Sequence, residues 1–302
     1  MTSVSEHRVA RQVECVGVVV HPSRNIERPL DQLRGWAQDQ GVTVVQVPVA
    51  GQRRSVAEPG DLERCDLVVS IGGDGTMLAA IRAAVAADKP VLGVACGSLG
   101  VLTSVTADEL PAALERFRQD DWRPRILPAL TAARPDGPDL FAINDVCVVR
   151  NGIGQIRMTS YVDGALFTGL AGDGCIVSTP LGSSAYALAA GGPLLTPDTD
   201  AYLLTPLATH GGSRQPLVIA AESRLTLEIA TGAAAAAAVG GARLEVDGQI
   251  VGGRPERLTI ELRPGVATMV NFADQEPLFE ALRRRQIITD SPRVIADRRP
   301  LP

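Results

Sequence analysis

The stretch Leu67-Val68-Val69-Ser70-Ile71-Gly72-Gly73-Asp74-Gly75-Thr76 decides how the first half of the chain folds. Its apolar start, residues 67–71, predicts a buried strand. The two glycines that follow allow a turn with positive φ and a close approach of the backbone to a ligand. The alanine-rich residues 77–87 predict a helix. Since the unpaired amides and positive end of a helix attract anions, this stretch predicts a phosphate-binding turn.

Asp74 is an unusual residue for such a turn. A carboxylate repels a phosphate unless it binds a metal ion or accepts a proton from an attacking hydroxyl. The alternative is that Asp74 simply caps the helix after a tight turn. A glycine-rich turn is a weak signal by itself, and the local pattern leaves both interpretations open.

The hydrophobic pattern of the sequence changes near Trp122. Before it, short apolar runs alternate with amphipathic stretches, which predicts a parallel sheet covered by helices. The predicted strands are 16–20, 42–47, 67–71 and 90–94, and the predicted helices are 30–40, 77–87 and 110–118. After Trp122, alternation and turn signals predict mostly antiparallel β structure, with turns at 135–137, 151–152, 163–164, 173–174 and 247–248. The alanine run 233–238 is expected to be a loop insertion, and 278–285 a short helix.

Composition excludes several classes of function. The chain has 302 residues, 45% of them hydrophobic, and a net charge of -5, which argues against nucleic acid as the main partner. Five separated cysteines without a CxxC pair predict neither a zinc site nor a disulfide framework. The polar N-terminus does not resemble a secretory signal, and no apolar run reaches the roughly 20 residues of a membrane span. We therefore expect a cytoplasmic protein without a membrane partner.

Lys89 is the only lysine in the chain. A phosphate-binding loop of the GxxxxGK[ST] type, which needs a lysine next to its last glycine, is therefore excluded. Any phosphate must be held by backbone amides, a metal ion or arginine.

Two further segments carry polar groups at unusual places. Asn144-Asp145 interrupts an apolar strand-like run, and this pair can hydrogen-bond a ribose, a carboxamide or an adenine amine, although a solvent-facing strand end is the simpler interpretation. In the segment from Gly172 to Pro193, Ser183 or Ser184 can cap a helix that carries Tyr186, which would suit a sugar and a base. Taken alone, 173–174 and 247–249 indicate hairpin turns, Tyr186 a core residue and His210 a solvated or structural histidine.

Taken in order, these motifs resemble those of the NAD kinase family. They are the GGDGT turn at 72–76, the N-[ED] pair at 144–145, the GDG…TPxGSxAY…GGP segment at 172–193 and the DGQ at 247–249. The first motif also occurs in diacylglycerol and sphingosine-type lipid kinases. The third motif is much more specific. Because of it, the sequence predicts an NAD kinase and not merely a nucleotide-binding protein.

The resemblance implies an α/β fold with a Rossmann-like N-terminal domain and an antiparallel β-rich C-terminal domain. The expected domains are 1–124 with the GGDGT turn, 125–275 for NAD binding, and 276–302 as a C-terminal helix and polar tail. The implied reaction transfers a phosphoryl group from ATP, or from polyphosphate, to NAD. A divalent cation, expected to be Mg²⁺, would assist, with no protein ligand assigned to it. Family members are homodimers or homotetramers, which implies an oligomer.

The resemblance also implies roles for individual residues. Asp74 would accept the proton of the ribose 2′-hydroxyl, with Gly75 beside it on the dinucleotide, and Gly72, Gly73 and Thr76 would line the phosphate donor. The remaining expected NAD contacts are Asn144, Asp145, Asp173, Ser184, Ala185, Tyr186, Ala187, Leu188, Ala189, Ala208 and Gln249.

Some positions depart from the family pattern. The usual Asn-x-Gly after the fourth strand is Ala95-Cys96-Gly97, and Ala171 stands where an arginine often precedes the GDG turn. These changes keep a catalytically silent NAD(P)-binding or sensor protein as an alternative. A lipid kinase that shares only the GGDGT turn is the second alternative.

Overall fold

A computed structural model describes residues 12–97, 99–212, 214–230, 240–253, 256–292 and 294. The chain separates into two compact units. One consists of Met1–Arg125 together with Thr268–Pro302, and the other of Ile126–Ala267. The predicted domains 1–124, 125–275 and 276–302, and the functions expected of them, stay predictions.

The first unit is built on a parallel sheet. Its strands are β1 (Cys15–Val20), β2 (Thr43–Gln46), β3 (Leu67–Gly72), β4 (Val91–Ala95) and the short β5 (Val105–Thr106). They lie in the order β5-β4-β3-β1-β2, and every pair is parallel. The central strands β1, β3 and β4 are buried almost throughout, which explains their continuous apolar sequences.

Helices connect these strands. They are α1 (Glu27–Gln40), α2 (Asp74–Val85) and α3 (Leu110–Arg118), with a 3₁₀ turn at Leu62–Arg64. α1 ends because Gly41 adopts the left-handed conformation, at φ 69°. Leu33 of α1 and Leu114 and Phe117 of α3 join the strand valines in one core. Each such buried side chain contributes about 1.5–3 kcal/mol to folding.

The second unit is made of antiparallel strands. They are β6 (Arg123–Ala133), β7 (Leu140–Ala142), β8 (Asp145–Gly152), β9 (Ile156–Val162), β10 (Ala165–Gly172), β11 (Gly174–Ser178), β12 (Ala201–Leu207), β13 (Leu217–Ala220), β14 (Leu225–Ile229), β15 (Gly240–Val246), β16 (Gln249–Val251) and β17 (Arg257–Asn271). One sheet has the order β13-β12-β11-β8-β15-β16. In the other, β10-β9-β14-β17 are neighbours, and β6 pairs with β17 and β7. Alternate residues from both sheets form one buried core.

The architecture confirms the predicted α/β class with a parallel N-terminal part and an antiparallel β-rich part. The hairpins predicted at 163–164 and 247–248 are present, and both Asp163 and Asp247 have positive φ, at 51° and 48°. The hairpin predicted at 173–174 is wrong. β10 pairs with β9 in one sheet, whereas β11 pairs with β8 and β12 in the other, so the chain changes sheets there.

Two short helices are also described. A short helix α4 (Tyr186–Ala189) follows a 3₁₀ turn, and α5 (Leu278–Arg284) lies near the C-terminus. The alanine run expected as a loop, 233–238, lies outside the described residues. Among the residues that are described, no helix combines the length and apolar character that crossing a membrane requires.

Candidate active site

The predicted phosphate-binding turn connects β3 to α2. The helix begins at Asp74, with Gly73 as the residue before it. The turn does not use the positive φ that its glycines would allow, since neither Gly72 nor Gly73 adopts it. Gly72 is needed for another reason: a Cβ atom there would overlap the Thr76 side chain, which is buried. The first two amides of α2, those of Asp74 and Gly75, have no partner within the helix and point toward its N-terminal end.

The Asp74 side chain does not cap α2. Its carboxylate turns away from the helix and accepts hydrogen bonds from the backbone amides of Leu102, over 2.9 Å, and Val101, over 3.2 Å. The Nη1 atom of Arg285 lies 3.0 Å from Oδ2 of the same carboxylate. The capping interpretation is therefore wrong. The segment that follows β4 binds the Asp74 carboxylate, which remains half-exposed.

Gly100 is a site residue that the sequence did not reveal. A Cβ atom at this position would overlap Oδ1 of Asp74. The Gly100 amide donates to the Thr103 hydroxyl over 2.6 Å, which holds the segment against the carboxylate. Only glycine allows the backbone to approach Asp74 this closely.

Arginines supply the positive charge near the turn. A Cβ atom at Gly73 would lie 3.4 Å from Nη1 of Arg24, and that guanidinium also donates to the Cys96 carbonyl over 3.3 Å. Together with Arg285, this places two guanidinium groups beside the start of α2. The sequence, whose only lysine is Lys89, predicted that a phosphate would be held by backbone amides, a metal ion or arginine.

In the second unit, Asn144 and Asp145 stand at the start of β8. Oδ1 of Asp247 accepts hydrogen bonds from the amides of Asn144 and Asp145, over 2.7 and 3.2 Å, and Oδ2 accepts one from Ile143 over 3.1 Å. Asp247 therefore fixes the backbone that carries the pair, a role that the hairpin interpretation had missed. Gln249, the predicted contact, is exposed at the start of β16 two residues later.

The Asn144 and Asp145 side chains differ in their hydrogen bonding and in the effect of burial. The Asn144 Oδ1 atom is buried and has no hydrogen-bond partner among the described residues, which is rare for a buried polar atom. Asp145 is only 5% exposed. Burial, and then the negative charge of Asp247, raise the pKa of the Asp145 carboxyl to about 6.

The segment after β11 packs against this pair. The Thr179 hydroxyl donates to the Ile143 carbonyl over 2.7 Å, and a Cβ atom at Gly182 would overlap the Asn144 carbonyl oxygen. This contact explains a glycine in the TPxGS motif. Asn144, Asp145 and the segment beginning at Thr179 are thus brought together.

The serines of that segment do not cap a helix as predicted. Ser183 and Ser184 donate instead to the carbonyl oxygens of Pro180 and Leu181, over 2.6 and 2.8 Å, so they stiffen the turn. Among the predicted contacts in α4 and the residue before it, Tyr186 is 42% exposed, Ala185 and Ala189 are exposed, and Leu188 is half-buried. Ala187 is buried against Cys147 and Ile176.

Asp173 and Ala208 form a separate cluster. The Asp173 carboxylate pairs with Arg150, over 3.1 Å, and Gly172 packs against the Ala208 carbonyl, where a Cβ atom would lie 2.8 Å away. Ala208 has a positive φ of 41°. Because Gly174 and Ser178 are the two ends of β11, this cluster lies about 14 Å along the strand from Asp145, which is the partner of Ser178.

A cavity of about 520 Å³ in the second unit is lined by Arg157, Ala171, His210, Glu228 and neighbouring residues. None of the described residues predicted to bind NAD lines it. His210 is exposed, and its amide bonds the Ala171 carbonyl over 2.8 Å. Within the described part of the chain, no group of three or more His, Cys, Asp or Glu side chains is arranged to hold a metal ion.

Comparison with known proteins places these features in one family. The family model of the ATP-NAD kinase N-terminal domain matches residues 7–122, and that of the C-terminal domain matches residues 143–249. An NAD kinase of Wolinella succinogenes is 31% identical over 280 residues, which cover 89% of this chain and 94% of that protein. An NAD kinase of Acidobacterium capsulatum is 36% identical over 228 residues, covering 71% and 79%.

Two solved structures share the fold. Yeast NADH kinase complexed with NADH matches with a TM-score of 0.76 at 20% identity, covering 96% of this chain and 94% of that one. An NAD kinase from Archaeoglobus fulgidus in complex with ATP matches with a TM-score of 0.66 at 24% identity, covering 90% and 96%. From the motifs, the two domain matches and these relatives, the chain belongs to the ATP-NAD kinase family.

Proposed function

We propose that this chain transfers the terminal phosphoryl group of ATP to the 2′-hydroxyl of the adenosine ribose of NAD, forming NADP. The observation that carries the proposal is the position and hydrogen bonding of the Asp74 carboxylate. This carboxylate stands at the start of α2, beside a phosphate-binding turn, yet it is turned aside from the helix and held by other donors. Family membership supports the reaction class, and neither the lipid kinase nor the silent binder has comparable support.

In the proposed step, the 2′-oxygen attacks the terminal phosphorus while Asp74 takes the hydroxyl proton. The bond between that phosphorus and the oxygen bridging to ADP breaks, and ADP leaves with the electron pair. Amides at the start of α2, from Gly73 to Gly75, would stabilise the negative charge on the transferred group. Arg24 adds positive charge near the same turn.

A divalent cation would enter this site with the nucleotide. The described residues offer no cluster of ligands for a resident ion, but magnesium is commonly bound by substrate phosphates, waters and one or two carboxylates. Because Asp74 is assigned to the hydroxyl proton, the donor phosphates and waters would supply most ligands of such a cation. The cation would neutralise charge on the donor phosphates, and we expect it to be Mg²⁺.

The NAD side of the proposal rests on the second unit. The unpartnered Oδ1 of Asn144 is suited to accept a hydrogen bond from an amide or hydroxyl of the dinucleotide. Asp145 would accept another, Tyr186 would pack against a ring, and Ser184–Ala189, Asp173, Ala208 and Gln249 stay predicted contacts.

The oligomeric state is also proposed. Among the described strands, β10 has a paired neighbour on one side only, and it exposes Leu166 by 67% and Phe167 by 40%. An apolar strand at a sheet edge favours self-association. We expect a homodimer or homotetramer, which light scattering measures. The cytoplasmic location stays a prediction from the sequence.

The decisive experiment is product formation. Purified protein is incubated with NAD, ATP and Mg²⁺, and NADP is measured with an NADP-specific dehydrogenase. Parallel reactions replace ATP with polyphosphate, and NAD with NADH, to rank donors and acceptors. NADP formation is expected with ATP. If calorimetry records NAD binding while no donor yields NADP, the chain is a silent binder.

A further inference from the structure

Three donors hold the Asp74 carboxylate in the part of the chain that the structure describes. Leu102 N–H donates to Oδ1, and Val101 N–H donates to Oδ2. The third donor, Arg285, lies 211 residues further along the chain and binds Oδ2. An ionised carboxylate has about four acceptor positions, so these donors leave one, on Oδ1.

Arg285 extends from a backbone position that is itself fixed. In α5, Leu282 is fully buried and Ala281 is 6% exposed, which anchors the helix. The Arg285 amide bonds the Ala281 carbonyl over 3.1 Å. The chain then turns through Gln286, at φ 58°, and the Ile287 amide bonds the Leu282 carbonyl over 2.9 Å. The guanidinium is therefore presented by a closed helix end.

The preceding residue contacts the segment that supplies the two amides. The Arg284 guanidinium binds the Glu276 carboxylate over 2.9 Å and donates to the Leu99 carbonyl over 3.2 Å. Leu99 precedes Val101 by two residues. One helix end thus contacts both the Asp74 carboxylate and the segment whose backbone holds it.

A purely stabilising role does not explain this arrangement well. The side chains of Arg285 and Asp74 are 36% and 31% exposed, and ion pairs open to water contribute little to stability. Orientation is a different matter. A carboxylate that must accept a proton acts only when an acceptor position faces that proton.

We propose that Arg285 is a positioning residue for the phosphoryl transfer, an inference that rests on the proposed role of Asp74. Its guanidinium holds Oδ2, so that the remaining acceptor position of Oδ1 faces the attacking hydroxyl. Without Arg285, the carboxylate keeps its two amide donors but loses the charged partner that stops it from turning. The expected signature is a fall in kcat with nearly unchanged KM for NAD and ATP.

The test compares Arg285→Ala, Arg285→Lys and the control Arg283→Ala. Arg283 lies on the same helix, and its partner is Asp290, 2.7 Å away, outside the phosphate-binding turn. Arg285→Ala is expected to lower kcat about 10- to 100-fold, the scale of a misplaced reacting group. Arg285→Lys should recover a large part of the loss, and Arg283→Ala should retain wild-type kcat. Thermal unfolding checks that all three variants fold.

Two further measurements separate positioning from general damage. In the double variant Asp74→Asn/Arg285→Ala, the loss caused by Arg285→Ala should vanish, because Arg285 acts through Asp74. Guanidinium ion, added far below denaturing concentrations, should restore part of the turnover of Arg285→Ala and leave Asp74→Asn unchanged.

The outcomes are distinguishable. Wild-type kcat in Arg285→Ala, while Asp74→Asn is inactive, overturns only the role of Arg285. The same holds if Arg285→Ala raises KM without lowering kcat, or if its loss persists in full in the Asp74→Asn background. If Asp74→Asn retains wild-type turnover, or the wild-type protein makes no NADP, the proposed function and this inference both fail.

Discussion

Asp74 and Asp145 are both aspartates at the junction of a turn and a regular element, but their surroundings are opposite. Asp74 is half-exposed and accepts from two amides and a guanidinium. Asp145 is 5% exposed, and the nearby carboxylates of Asp247 and Glu245 disfavour its charge. A motif places a carboxylate, whereas its neighbours decide how readily it ionises and what it can accept.

We expect the two aspartates to have different roles. Asp74 is half-exposed, and three donors hold its carboxylate beside the phosphate-binding turn, which suits a proton acceptor. Burial raises the pKa of Asp145 to about 6, so a part of the population is protonated near neutral pH. A protonated carboxyl can donate a hydrogen bond, whereas an ionised one can only accept.

The largest expected effect comes from Asp74→Asn. Asparagine keeps the shape but cannot accept the proton, so we expect kcat to fall about 10²- to 10⁴-fold. Binding of NAD, measured by calorimetry, should remain. The control is Asp31→Asn, an exposed aspartate on α1. Turnover of Asp74→Asn equal to that of the control would refute the assigned role.

Asp145→Asn should change how stability depends on pH. The folded-state pKa of about 6 lies above the ordinary 3.8, so the folded state binds more protons, and stability falls as pH rises from about 4 to 6. A difference of about 2 pKa units corresponds to about 3 kcal/mol. We therefore expect urea unfolding to show that the wild type loses stability of this order relative to the variant between pH 4 and pH 7.

Asp163→Asn is the matched control for that experiment. Asp163 occupies an exposed hairpin turn, and hydrogen bonds from the Arg224 amide and the Ser223 side chain hold the pKa of its carboxyl below the ordinary value. Its contribution to stability is present above the ordinary pKa and is lost as pH falls. The two variants should therefore deviate from wild type in opposite directions; a common direction would contradict the assignment.

Gly100→Ala tests the surroundings of Asp74. The new Cβ atom would overlap Oδ1, so the carboxylate or the segment must move. We expect kcat to fall about 10- to 100-fold while KM for NAD stays within a few-fold. Gly35→Ala is the control, because it lies on α1 with no atom near the added Cβ, and it should be as active as wild type. Steady-state kinetics that fail to separate the two variants would disprove the contact.

Gly182→Ala is the corresponding test for Asp145 and its neighbour. The added Cβ atom would overlap the Asn144 carbonyl oxygen and displace the pair. We expect KM for NAD to rise about tenfold, or 1.4 kcal/mol, with a smaller change in kcat. The control Gly169→Ala has no atom within reach of its added Cβ. An unchanged KM in Gly182→Ala would remove Asn144 from the NAD site.

Much of this molecule was predictable from local patterns. Continuous apolar runs such as Leu67 to Ile71 predicted the parallel strands because those strands are buried on both faces. Asp-Gly pairs predicted two hairpins, since they tolerate positive φ. Where the local pattern was wrong, at 173–174, a change of sheet replaced the hairpin, and pairing between distant strands is not a local property.

The sequence by itself determined the order of motifs, and with it the family, the fold class and the aspartate on which catalysis should depend. Only the tertiary structure decided what those motifs touch. Asp247 fixes Asn144 from 103 residues away, and Arg285 reaches Asp74 from 211. Hydrogen bonds act over about 3 Å of space regardless of separation along the chain. The partners that orient a carboxylate therefore become visible only once the chain has folded.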